Sequence, residues 1–91
     1  MGDDVASATD RERIVDWMVK HVRSVLQLPE GDFPVEERFD TYGLDSVEAV
    51  IMAGLMEEEF GTPIDPMEMF EHPSVAQFAE FIAPRIANRP E

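Results

Sequence analysis

No cysteine occurs anywhere in the chain. Disulfides, thiolate metal sites and a cysteine nucleophile are therefore excluded. Histidine occurs only twice, at His21 and His72, and lysine only once, at Lys20, which leaves few bases for a self-contained acid–base site. Long apolar runs are also missing. The longest, AVIMAGLM at 49–56, is far too short to span a bilayer. The opening MGDDVASA has neither the basic nor the apolar region of a secretory leader, and Ala6 stands where a myristoylation signal needs Ser or Thr. These absences predict a soluble, cytoplasmic protein. Finally, from Phe39 to Pro84 there is no Lys or Arg, against ten acidic residues.

That last absence shapes what the surface can bind. The net charge of −13 repels nucleic-acid phosphates and anionic membranes. It attracts partners with basic patches, although acidity also serves solubility alone.

The 91 residues suffice for one domain with a single modest core. The patterning is helical throughout, with no alternating strand. A helical domain is expected over 9–87, with flexible tails at 1–8 and 88–91. The first helix is expected to start at Thr9, where Thr9 and Glu12 match a capping box. Ile14, Trp17, Met18, His21, Val22, Val25 and Leu26 follow at helical spacing, and Pro29 ends the run. His21 reads as a packed neutral side chain and not as a ligand.

The stretch LPEGDFPVEERFDTYG (28–43) then forms a long loop, which in a small domain needs apolar pins. Phe33, Val35 and Phe39 are the candidates. The second helix is predicted from Asp45, a favoured N-cap, to Phe60, with Gly61 at C′. It carries two apolar lines: Ala49, Met52, Met56 and Phe60, and beside them Val47, Val50, Ile51, Gly54 and Leu55. Either the helix is buried almost all round, or one line faces a partner. Glu57, Glu58 and Glu59 crowd its C-terminal turn, where the helix dipole disfavours them. They fit a solvated end or recognition by a basic partner.

A short third helix is expected after Asp65 as N-cap and Pro66 at N1. A fourth follows Ser74, with a stripe of Val75, Phe78, Ala79 and Ile82 and a kink or stop at Pro84. His72 reads as a turn residue. The expected core comprises Trp17, Met18, Val22, Val25, Phe39, Ala49, Met52, Met56, Phe60, Phe70, Val75, Phe78 and Ile82.

Ser46, in GLDSV, is the candidate functional side chain. A nucleophilic serine needs a base, a group orienting the base and an oxyanion hole. Glu48 stands where a nucleophile elbow needs its second glycine, so self-contained catalysis is not expected. Calcium-loop spacing and H-E-x-x-H are also absent. Position alone leaves Ser46 either half of a capping pair with Asp45, the simpler reading, or an exposed hydroxyl for a phosphoryl group.

The flanking residues carry a resemblance. FDTYGLDSVEAV, followed by LMEEEFG, resembles the signature of acyl carrier proteins. PIDPMEMFEHPSVAQFA is similar to the third- and fourth-helix region of polyketide-synthase-type carriers. The resemblance runs from Leu28 to Ala83. It implies an all-α fold, a four-helix bundle with a long first loop and a short third helix. It implies a non-catalytic carrier whose Ser46 receives 4′-phosphopantetheine from coenzyme A through a phosphopantetheinyl transferase. The arm's thiol would hold acyl intermediates of polyketide or fatty-acid biosynthesis as thioesters. The implied partners are an acyl-loading enzyme (acyltransferase or acyl-activating ligase) and a ketosynthase or other pathway enzymes, docking on a monomer. The matching docking residues are Asp45, Val47, Glu48, Val50, Ile51, Gly54, Leu55, Glu57 and Glu58. Ile51 departs from the glutamate common in the family, and Leu55 is larger than usual. Both predict a more apolar contact, or a more deeply buried helix. A peptidyl or aminoacyl carrier of a nonribosomal pathway, and an unmodified helical interaction domain, are the alternatives.

Overall fold

The computed structural model describes residues 2–29 and 31–87, with side chains described for 10–29 and 31–86. The expected C-terminal tail at 88–91 lies outside the described residues. Four α-helices follow in order: α1 (Gly2–Leu26), α2 (Ser46–Phe60), α3 (Pro66–Glu71) and α4 (Val75–Ala87). A 3-10 turn at Phe39–Tyr42 interrupts the long first loop. No strand forms among the described residues, and none of their helices is long and apolar enough to cross a membrane.

Helix α1 does not start at Thr9; it runs through Thr9 from Gly2. Acidic and small residues upstream are compatible with a helical N-terminus, so a capping-box match is no proof of a boundary. The helix ends before Pro29. Gln27 takes a left-handed φ of 57°, and the Leu28 amide donates to the Arg23 carbonyl at 3.0 Å. That is the geometry of a Schellman cap.

The loop is pinned against the start of α4. The Phe39 amide donates to the Pro73 carbonyl at 2.8 Å, and the Ala76 amide donates to the Val35 carbonyl at 2.9 Å. Arg38 and Ser74 form an isolated antiparallel bridge. Phe39 is buried, while Phe33 and Val35 are partly buried against the core. Tyr42 packs edge-on to Phe33 at 5.1 Å, and burial pushes its phenol up to about 12. The loop over 33–43 thus follows an ordered path because its backbone groups find partners on α4 and on the segment just before it.

One apolar cluster joins all four helices. Ile14, Met18 and Val22 of α1 meet Met52 and Met56 of α2, Met69 of α3, and Val75, Phe78 and Ile82 of α4. Helix α1 packs chiefly on α4, and α2 on α3. Three residues of the expected core differ. Trp17 and Val25 are only partly buried, and Phe70 is 45% exposed. A six-residue helix has room to bury one narrow line, and Met69 takes it. Leu44, Ala53, Ile64, Ala83 and Ile86 join the core instead. Pro84 neither ends α4 nor keeps Ile86 from the core, because the helix continues to Ala87.

Helix α3 is held by two linked devices. Asp65 and Glu68 form a reciprocal capping box. Glu68 also receives a two-pronged contact from Arg85 of α4, Nη1–Oε1 at 3.0 Å and Nη2–Oε2 at 2.6 Å. The Arg85 hydrogen bond holds the Glu68 carboxyl below its usual range, against a smaller opposing effect of burial.

Candidate functional site: the Ser46 groove and the exposed face of α2

Asp45 is the N-cap of α2, in an extended conformation with ψ of 176°, and its carboxylate accepts from the Glu48 amide at 2.9 Å. Its backbone therefore turns the chain from loop into helix, and Ser46 becomes the first helical residue. Upstream, Gly43 closes the 3-10 turn with φ of 98°, and the Leu44 amide donates to the Phe39 carbonyl at 3.0 Å. Leu44 is buried and anchors the segment. Ser46 itself is exposed, and its hydroxyl has no hydrogen-bond partner among the described residues. The capping function belongs to Asp45 alone, so the Ser46 hydroxyl is free for chemistry.

Ser46 opens onto a shallow groove of about 270 Å³ between the loop, α2 and α3. Its wall includes Leu44, Ala49, Met69 and Phe70, with Arg38 and Asp40 also lining it. Arg38 pairs with Asp40, Nε–Oδ1 at 3.2 Å, with both side chains largely exposed. Sequence reasoning missed both Arg38 and Phe70 as groove residues. Arg38 lies outside the signature, and the spacing of Phe70 marked it as core.

The two apolar lines of α2 separate cleanly. Ala49, Met52, Ala53, Met56 and Phe60 are buried. On the other side Val47 is 65% exposed, Ile51 47%, Val50 45% and Leu55 41%. Asp45, Gly54, Glu57 and Glu58 are exposed with them, and Glu48 is half-buried. The nine residues named from the resemblance thus lie together along one face, with Ser46 at its N-terminal end. The alternative of a helix buried all round is overturned for that face, because only the opposite line of α2 enters the common core.

His21 sits on α1 with its ring stacked on Trp17 at 5.2 Å. Burial lowers its basicity, and the Glu48 carboxylate partly offsets this. Its Nε2 is buried without a hydrogen-bond partner among the described residues, as expected for a packed neutral ring. His72 caps α3 and stacks on Phe81 at 4.0 Å; it too is structural. Neither histidine lines the groove beside Ser46; the titratable side chains there are Arg38, Asp40 and Asp45.

Ser46 thus stands exposed at the start of a capped helix, with a groove beside it. The family model of the phosphopantetheine attachment site matches residues 16–82. The chain belongs to this phosphopantetheine carrier family. The family is non-catalytic, and its cofactor is covalently attached 4′-phosphopantetheine. This carrier is 32% identical over 68 residues to polyketide synthase PksL of Bacillus subtilis (strain 168), which covers 75% of this chain. The chain spans only 2% of that protein's length. Its fold is similar to that of a free-standing peptidyl carrier protein from an uncharacterized secondary metabolic pathway of Acinetobacter baumannii. That comparison has a TM-score of 0.77 at 19% identity and covers 85% of this chain and 96% of the other.

The carrier's residues fit the cofactor. A phosphodiester needs an accessible hydroxyl with no competing hydrogen bond, and Ser46 meets both conditions. The missing thiol of this cysteine-free chain is the group the prosthetic arm supplies when bound, as a terminal thioester-forming sulfur.

Proposed function

We propose that Ser46 carries the 4′-phosphopantetheine arm and that the protein holds acyl intermediates for a polyketide or fatty-acid pathway. The free hydroxyl at the first position of α2 is the observation that carries this reading. In the loading step Ser46 Oγ forms a new bond to the phosphorus that bears pantetheine in coenzyme A. The pyrophosphate P–O bond breaks, adenosine 3′,5′-bisphosphate leaves, and the serine proton passes to the base of a phosphopantetheinyl transferase. Asp45 keeps the backbone rigid for this encounter through its cap to Glu48.

Partner enzymes dock on the α2 face: an acyltransferase or acyl-activating ligase for loading, then a ketosynthase or other pathway enzymes. Val47, Val50, Ile51, Gly54 and Leu55 provide the apolar contact, with Asp45, Glu48, Glu57 and Glu58 as an acidic surround. An apolar centre with a charged rim suits reversible docking. The protein works as a cytoplasmic monomer in this reading.

Incubation with coenzyme A and a broad-specificity transferase, followed by intact-mass measurement, provides the test. The wild type should gain one phosphopantetheinyl group, and Ser46→Ala, with an unchanged helical spectrum, should gain none. A wild type that stays unmodified sinks the proposal. A peptidyl or aminoacyl carrier is the second reading, supported by the description of the similar Acinetobacter structure. The identity to a polyketide synthase favours acyl cargo. Mass shifts after exposure of the loaded protein to acyl- and to aminoacyl-activating enzymes separate the two.

A further inference from the structure

A second concavity lies where α1, the loop and the start of α4 meet. It consists of two adjoining grooves, of about 370 and 320 Å³, that share Arg11 and Ala76. Val15 and Val19 of α1, one helical turn apart, form its floor with Val35 of the loop and Ala76 of α4. All four are half-buried. The Ala76 amide donates to the Val35 carbonyl, and the Val35 amide to the Phe33 carbonyl, both at 2.9 Å. The floor is therefore fixed, and the Val35 backbone is already engaged. The rim is charged and exposed. Glu12, Glu36 and Glu80 stand on it with Arg11, and none of these four has an ion pair among the described residues. Asp16, also on the rim, is paired with Lys20 at 3.1 Å. Three unpaired carboxylates against one unpaired guanidinium leave the rim acidic.

We infer that this groove is a second docking surface, built for a short basic amphipathic helix of a partner protein. Aliphatic side chains at i and i+4 of that helix enter between the Val15–Val19 ridge and the Val35–Ala76 wall. Its Lys and Arg side chains meet Glu12, Glu36 and Glu80. An added strand is disfavoured, because the Val35 amide and carbonyl already have partners. A second copy of this chain is disfavoured too, because two molecules of net charge −13 repel each other. The grooves hold only two or three aliphatic side chains, so the contact is small and reversible, with a Kd of roughly 10–100 μM. Neither Ser46 nor any of the docking residues named on α2 lines either groove. A partner seated here therefore holds the carrier while the α2 face stays open to successive enzymes, which raises their effective concentration around it. The prosthetic arm plays no part in this contact.

The test uses the full, isotope-labelled chain without the arm and two synthetic helical peptides. Both peptides carry leucine at i, i+4 and i+7; one has lysine on its polar face and the other glutamate. Amide-shift titration with the lysine peptide should move Val15, Val19, Val35 and Ala76. It should do so equally in Ile51→Glu, which disables the apolar stripe of α2. The glutamate peptide should bind about tenfold more weakly or not at all. Glu36→Gln combined with Glu80→Gln, both exposed and outside the core, should weaken the lysine peptide about fivefold. Val19→Asp, its fold checked by helical spectrum, should remove binding. Shifts confined to α2 and lost in Ile51→Glu overturn the inference. Equal binding of the two peptides, or no binding of the lysine peptide at millimolar concentration, overturns it as well.

Discussion

Glu68 performs two tasks with one carboxylate. Its Oε1 accepts from the Asp65 amide at 3.1 Å, completing the cap of α3, and both oxygens meet Arg85 of α4. Replacement by Gln keeps the cap acceptor and removes the charge. We predict a loss of about 1 kcal/mol at neutral pH, discounted for the partial exposure of both partners. The sign of its pH dependence follows from the lowered carboxyl pKa. The stabilisation is complete above the unfolded value of 4.5 and is lost as pH falls through the lower folded value. Denaturant titrations should therefore show wild type and Glu68→Gln converging below about pH 4.5. A constant gap down to the acid limit contradicts the ion-pair account. Such single-residue roles were partly legible beforehand. Asp65, Asp45 and Ser74 follow from their place before apolar runs, since capping is local chemistry. The Arg85 contact spans two helices and is invisible to any local pattern.

At the scale of elements, α2 holds a second internal tension. Gly54 lies mid-helix, and a Cβ added there would meet nothing within 4 Å. Packing does not require glycine, yet glycine costs about 1 kcal/mol against alanine in a helix interior. Its flat place between Ile51 and Leu55 fits the close approach of a docking partner. Gly54→Ala should accordingly raise the melting temperature by roughly 4–8 °C while slowing acylation by the loading enzyme. Ile51→Glu provides the complement. At 47% exposure it should alter stability by no more than about 0.5 kcal/mol but lower kcat/KM for acylation about tenfold, equivalent to ~1.4 kcal/mol of docking energy. Unchanged acylation kinetics in both variants would take the α2 face out of the docking reading. The two lines of apolar residues were readable in sequence because helical period is local. Which line faces inward was not, because both satisfy the same spacing. Packing into the core shared by the four helices made that choice. For α1 the misplaced start shows the reverse: a local capping match was overridden by residues that continue the helix.

Across the whole molecule, charge and core are distributed by different rules. The region from Phe39 to Pro84 contains ten acidic residues and no Lys or Arg, so the α2–α3 side of the protein is predominantly acidic, with Arg38 and Arg85 beside it. Long-range steering should make association with a basic partner depend strongly on salt. Raising ionic strength from about 0.01 to 1 M shortens the screening length from ~30 to ~3 Å. The second-order rate of loading should fall by about tenfold or more over that range, measured by stopped-flow or mass-quench kinetics. A flat profile would assign docking to the apolar stripe alone. The sequence by itself determined the helical class, the boundaries of α2, the starts of α3 and α4 and the pins of the loop, because each depends on nearby residues or on composition. Only the tertiary structure decided that one face of α2 stays in water, that Phe70 leaves the core to wall the groove beside Ser46, and that Arg38 is the cation there. Those outcomes depend on how much surface a short α3 and a long pinned loop can cover, which is set by packing between segments distant in the chain.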